Sequence, residues 1–379
     1  MRNWIKNNKW LFIKLCTITC LLIFLIVCLI LKNNQGVCEA WTRGFSRTYQ
    51  NTLGWVFKYL PFSLTEWLII GAVIGLLIYL VLTIVLLCKR KFKRGLFAFC
   101  NVLLIALGVL TSYFATAEMA YNREALPIEL YEEKVDKSEF RTIIDYYLAD
   151  LNYCTSQLTF DEQGEITSTP SIQELASQAE KEYQRLADNE YFTSFTTLAK
   201  PMAFSFLFRE FQLTGVTFLP STEANVSYLT PENEKPFTVL HEVAHSKGVM
   251  REEDANMVAA YLSLTSDNPL FRYSGYTYTL YSLLDLANYT GRKEEITEVY
   301  DEVPYEYLKN QSYSGKYWND HDALAHFANW WNDLYLKFSG EEKGTESYSD
   351  TPIEVDPSTR EITSFSAYQK LYFQIYYSL

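Results

Sequence analysis

Hydrophobic positions follow two regimes along the chain. In the first 120 residues they form continuous runs: residues 15–31, 67–88 and 95–117 are free of charge and are 17, 22 and 23 residues long. A bilayer core takes about 20 helical residues, so each run reads as a membrane span, at about 11–31, 67–88 and 95–117. Lys14 can snorkel to lengthen the first. A cleaved leader is the rival for that run, but the run is too long, and the Leu-Ile-Leu-Lys-Asn-Asn closing it offers no small-residue cleavage site. Beyond residue 120 the pattern turns periodic. Phe140, Ile143, Ile144, Tyr147, Leu148 and Leu151 recur at helical spacing over 137–153, and Leu175, Ala179, Tyr183 and Leu186 do so over 171–188, after Pro170. Segments 216–219 and 225–229 are short and β-rich. Pro236 opens another helix, and more are expected around 252–264, 277–289, 321–338 and over the last ten residues, with 339–351 a polar loop. The fold class is therefore mainly α with a small β-sheet: an outer domain over 121–379, after a domain of three transmembrane helices over 1–120.

Charge sharpens this division. Residues 1–120 carry thirteen Lys and Arg against Glu39, Glu66 and Glu118, a net of +10; the whole chain is −12, which leaves −22 for the remainder. An acidic outer domain argues against nucleic acid as a partner. Arg2, Lys6, Lys9 and Lys14 precede the first span, and Lys89, Arg90, Lys91, Lys93 and Arg94 cluster between the second and third. Basic segments stay cytoplasmic, so the expected placement is a multi-pass protein of the bacterial cell membrane, with its N-terminus inside and residues beyond the third span outside. Of seven cysteines, five lie in or beside the spans; Cys38 and Cys154 are left as a conceivable pair without a disulfide framework around them.

The chemistry sits in one segment. Residues 236–256 contain His241-Glu242-Val243-Ala244-His245, an H-E-x-x-H motif. On a helix the two imidazoles lie one turn apart on the same face and can meet one Zn2+ ion, with Glu242 beside them as general base. With four histidines in the chain, chance would produce such a match about 0.003 times. A catalytic zinc takes a third protein ligand and keeps a fourth position open. Gly248 is suited to end the helix in a left-handed conformation. A second helix from about Arg251 then puts Glu252, Ala255, Asn256 and Ala259 on one face, which selects Glu252 as third ligand, with Glu253 and Asp254 as alternatives and Asn256 as support for a ligand imidazole.

These residues carry a resemblance. The chain from about Tyr121 onward is similar to a family of bacterial membrane proteins known only as a domain of unknown function, marked by H-E-x-A-H-x-x-G, an acidic cluster and Ala-Asn. Matching flanks are Tyr121-Asn122-Arg123, Thr222-Glu223-Ala224-Asn225-Val226, Pro236-Phe237-Thr238, Arg272-Tyr273-Ser274-Gly275-Tyr276 and Tyr335-Leu336-Lys337. Glu252-x-x-Ala255-Asn256 further resembles the Glu-x-x-Ala/Ser-Asp signature of gluzincin metallopeptidases, with Asn256 where Asp is usual and the Glu only seven residues past His245. The metzincin pattern matches through Gly248, but Arg251 stands at its third His. The resemblance implies a zincin-like site acting on peptide or protein substrates. Zincins align substrate along an edge strand, here 216–219 or 225–229, and need an oxyanion donor, for which Tyr273, His321, His326 and Tyr348 are candidates. Trp330-Trp331 reads as core or membrane-interface anchoring. A zinc-binding envelope or sensor protein without catalysis is the alternative, and Glu242, which is no zinc ligand, argues against it.

Overall fold

The computed structural model describes residues 8–192, 198–290, 292–359 and 361–378. The chain is mostly helical with small sheets, and it divides into two compact units: residues 1–125 with Phe218–Glu223, and Leu126–Thr217 with Ala224–Leu379.

The first unit is built on three helices long and apolar enough to cross a membrane: α1 (Lys9–Leu31), α4 (Leu64–Cys88) and α5 (Phe92–Tyr113), the last running on to Tyr121 through a π-helical turn at Phe114–Glu118. Each reaches a few residues beyond its charge-free run, because flanking polar residues continue the helix. The turn between α4 and α5 is only three residues long, with Arg90 at φ 54°. The return helix can pack closely because Gly95 has no side chain: a Cβ there would lie 2.9 Å from the Leu87 side chain. Two further helices, α2 (Gln35–Trp41) and α3 (Arg47–Phe57), occupy the stretch between α1 and α4. The π turn of α5 offsets the backbone ladder, and the carbonyl of Ala115 accepts from the Trp41 indole at 2.8 Å and the Ser46 hydroxyl at 3.2 Å. Arg123, 2 % exposed, grips buried Glu39 with two bonds of 2.7 and 2.9 Å. Burial alone would raise the Glu39 carboxyl, but the Arg123 and Arg43 guanidiniums hold it at about 2. Glu223 closes the unit, its carboxylate accepting from the Leu64 and Thr65 amides at the start of α4, at 3.0 and 2.6 Å.

The second unit follows the helical periodicity. α6 (Phe140–Ser156) starts after a 3₁₀ turn at Lys137–Glu139, and α7 (Ile172–Gln184) is opened by a Ser171/Glu174 capping box. Between them lies the hairpin of β1 (Thr159–Phe160) and β2 (Ile166–Thr167). A three-stranded sheet has the order β3 (Lys200–Pro201), β5 (Glu223–Val226), β4 (Gly215–Phe218), with β3 and β5 parallel and α8 (Ser205–Glu210) between β3 and β4 in sequence. β5 starts two residues before the expected 225–229 and ends at Val226, three residues short of it, because the chain turns at Ser227–Thr230, where Thr230 N bonds to Ser227 O. Then come α9 (Lys235–Ser246), α10 (Glu252–Leu264), α11 (Pro269–Leu284), α12 (Lys293–Asp301), α13 (Tyr305–Asn319), α14 (Ala325–Ser339), the hairpin of β6 (Glu354–Val355) and β7 (Ile362–Ser364), and α15 (Ala367–Tyr377).

Helices α6, α7, α9, α10, α11 and α15 contribute to one continuous apolar core. Many of the 29 tyrosines belong to it, and burying them requires partners for their hydroxyls. Tyr147 donates to the Tyr372 carbonyl at 2.7 Å, Tyr276 to Asp150 at 2.8 Å, and Tyr273 to Asn310 at 3.0 Å. Trp330 and Trp331 are each 59 % exposed on α14, which removes the core reading for them. Cys38 and Cys154 are separate free thiols, both buried.

Candidate metal centre

Two helices and one strand build the site. α9 starts with Pro236 in its first turn, where the missing N–H is harmless, and buries an apolar face of Phe237, Val239, Leu240, Val243 and Ala244. Its geometry puts His241 and His245 side by side, ring centroids 4.6 Å apart and planes nearly perpendicular. Gly248, at φ 96°, stops the helix and turns the chain back into α10, whose first residue is Glu252. The small Ala255 and Ala259, both fully buried, keep α10 close.

Three donor atoms converge between these helices. His241 Nε2 and His245 Nε2 are 3.0 Å apart, and Glu252 Oε2 lies 3.2 Å from the first and 3.3 Å from the second. The other two acids are elsewhere: Asp254 pairs with Arg251 at 2.7 Å and Glu253 is exposed. The structure thus separates Glu252 from the neighbours that the sequence left as alternatives.

The imidazole of His245 is oriented from behind. Its Nδ1 is 2.7 Å from the Val249 carbonyl, which can only accept, so Nδ1 carries a proton and Nε2 faces the cluster. Asn256, expected in this supporting role, instead donates to the Tyr348 carbonyl at 3.4 Å. The turn at Gly248 brings a backbone acceptor to the ring, and no side chain is needed.

Convergence of two ring nitrogens and a carboxylate oxygen in a buried place is electrostatically costly unless a cation joins them. One remedy is a proton. Burial would lower His245, but the Glu252 carboxylate outweighs it and raises the imidazole to about 9. Reciprocally, burial would raise Glu252, and the two imidazoles hold it far below the usual carboxylate range. The other remedy is a divalent ion. Ligands about 2.0–2.1 Å from a tetrahedral zinc stand about 3.3–3.4 Å from one another, and the observed separations of 3.0, 3.2 and 3.3 Å are close to that. Glu252 Oε2 is buried and forms no well-aligned hydrogen bond, as suits an oxygen aimed at a metal. Residues and spacing fit the ion.

Glu242 stands beside the cluster and is held by β4. The Thr217 hydroxyl lies 2.7 Å from Glu242 Oε2 and 2.8 Å from the Glu242 carbonyl, one proton facing two acceptors. Gly215 makes room for the carboxyl group: a Cβ there would fall 2.6 Å from Glu242 Oε1. Burial raises the Glu242 carboxyl, against the lowering pull of His241 and His245 and the bond from Thr217. Nothing in the sequence pattern pairs Thr217 or Gly215 with a glutamate some 25 residues on, and both were missed there.

A family described as protein of unknown function (DUF3810) matches residues 41–353. The chain belongs to the DUF3810 family. The match spans the H-E-x-x-H segment, Glu252 and β4 together, so the whole cluster lies inside the DUF3810 region. No curated protein and no solved structure matches the chain.

The four expected oxyanion donors have different surroundings. Tyr273 is fully buried on Asn310, His321 Nδ1 is 2.8 Å from the Tyr317 carbonyl, and His326 is exposed on α14. Burial raises the Tyr348 hydroxyl well above its ordinary value, and the charges of Glu252 and Glu242 add to this. Its hydroxyl accepts from Asn332 at 3.3 Å.

Proposed function

We propose that this protein is a membrane-anchored zinc metallopeptidase, with His241, His245 and Glu252 as metal ligands and Glu242 as general base. One observation carries the reading: the three donor atoms meet at zinc-ligand spacing with a buried carboxylate, one that is not a ligand, held alongside. Zinc bound there would lower the pKa of a coordinated water to about 7 and polarise a carbonyl. The chain's own residues supply the rest. Glu242, its proton affinity raised by burial, takes the proton of the attacking water and delivers it to the leaving nitrogen. Thr217 fixes the carboxylate oxygen during this exchange. Tyr348 offers a hydroxyl to the developing oxyanion. β4, at the edge of its sheet, offers backbone groups to an extended peptide. The basic cluster at residues 89–94 supports a cytoplasmic turn between α4 and α5, and hence a catalytic unit outside the cytoplasm.

A zinc-binding envelope or sensor protein has no use for the Thr217–Glu242 arrangement. Glu242→Gln separates the two readings. The full chain, in detergent and loaded with zinc, is offered a mixed peptide library, and cleavage is read by mass spectrometry. The variant is expected to keep its zinc and to lose cleavage by at least about 10²-fold; equal cleavage by both proteins, or by neither, overturns the enzymatic reading.

A further inference from the structure

Between α4 and α5 lies a cleft of about 450 Å³, whose lining combines Leu82, Leu86 and Phe97 with Lys93, Arg94 and Asn101. A third cation reaches the same place from α1: Lys14 bonds to Asn101, and its ammonium lies over the Phe97 ring, 3.6 Å from the centroid. No acidic residue occurs in 1–38 or in 67–117, and Glu118, at the far end of the helix that carries Lys93 and Arg94, is paired with Lys32. Among the described residues, none of the three forms an ion pair. Lys93 and Arg94 also stand in the first turn of α5, whose positive helix end adds charge of the same sign.

Orientation of the spans does not require cations in a cleft. Lys89, Arg90 and Lys91 serve that role in the same turn and are not among the residues lining it. The distinctive feature of Lys93 and Arg94 is that they line an apolar cleft on helices built for a bilayer, while Lys14 bonds to Asn101 and covers Phe97, two other lining residues. Such a combination matches a molecule with a phosphate at one end and hydrocarbon at the other.

We propose that this cleft is a binding site for an acidic glycerophospholipid, with the phosphate headgroup held by Lys93, Arg94 and Lys14 and an acyl chain along Leu82, Leu86 and Phe97. The site is independent of the metal centre. Free phosphate shares the headgroup chemistry but has nothing to place against the leucines.

The test is native mass spectrometry of the full chain, released from micelles doped with dioleoyl phosphatidylglycerol, dioleoyl phosphatidylcholine or inorganic phosphate. The wild type is expected to retain phosphatidylglycerol in preference to the other two. Lys93→Gln with Arg94→Gln should weaken that retention about 30-fold, while Lys89→Gln with Arg90→Gln, the same charge change outside the cleft, should leave it within about twofold. Leu86→Trp, which fills the cleft and alters no charge, should also reduce it, and this guards against misfolding of the charge variant. Equal losses from the two charge pairs would mean surface attraction only. That result, equal retention of the two lipids, or phosphate displacing the lipid at equal concentration, would each overturn the proposal.

Discussion

His245 commits one ring nitrogen to the Val249 carbonyl, so its other nitrogen is fixed toward His241 and Glu252. Tyr348 has, in the proposed mechanism, a role separable from metal binding. In the proposed mechanism its hydroxyl serves the oxyanion and is no metal ligand, so Tyr348→Phe should leave zinc content unchanged and reduce kcat by roughly 10²–10³, with KM moving little. Steady-state kinetics beside metal analysis checks both halves. At this scale the sequence is informative where spacing is local. His241, Glu242 and His245 are legible from one helical turn, and Glu252 from the face it shares with Ala255 and Ala259. Thr217 and Gly215 are not legible, because their partner is reached only through tertiary folding, and a lone Thr and Gly in a β-rich stretch have many ordinary uses.

The α9–α10 hairpin is the element that makes the cluster. Its turn depends on Gly248 at φ 96°, a region that costs a residue bearing a Cβ about 1–2 kcal/mol. Gly248→Ala should therefore lower the thermal midpoint and, because the same turn delivers the Val249 carbonyl, weaken zinc binding as well; calorimetry and a competitive zinc titration measure the two effects. Elements with an apolar stripe, such as α6, α7 and α10, were predictable to within a few residues. α13 was not, because the side it buries is Tyr307, Asn310 and Ser314, a polar face that hydrophobic periodicity does not detect. β5 is similar: all four residues are buried, and Glu223 and Asn225 are two of them. These polar side chains are satisfied by bonds that no periodicity announces, such as Asn225 to the Val216 carbonyl at 3.1 Å.

For the whole molecule, the two regimes of hydrophobicity gave three helices suited to a membrane and a mainly helical remainder. The pattern did not reveal that Phe218–Glu223 groups with the membrane unit, since no periodicity marks a segment anchored by one carboxylate on helix amides. Inside that unit the Glu39–Arg123 pair ties polar chain to polar chain. The Glu39 carboxyl is lowered from 4.5 to about 2, so its contribution is complete above pH 4.5 and is lost as pH falls through about 2. Glu39→Gln should lower the thermal midpoint at pH 7, because it removes the carboxylate that Arg123 grips, and the gap to the wild type should narrow steadily below pH 4.5. Thermal melts of the full chain across that range read it directly. The proposed function depends on the metal. Elemental analysis of the purified full chain, after incubation with zinc and removal of excess, should find one zinc per chain in the wild type and in Glu242→Gln, and far less in His245→Ala and Glu252→Ala. A wild-type chain that stays empty under those conditions, or a His245→Ala chain that loads equally, would contradict the account.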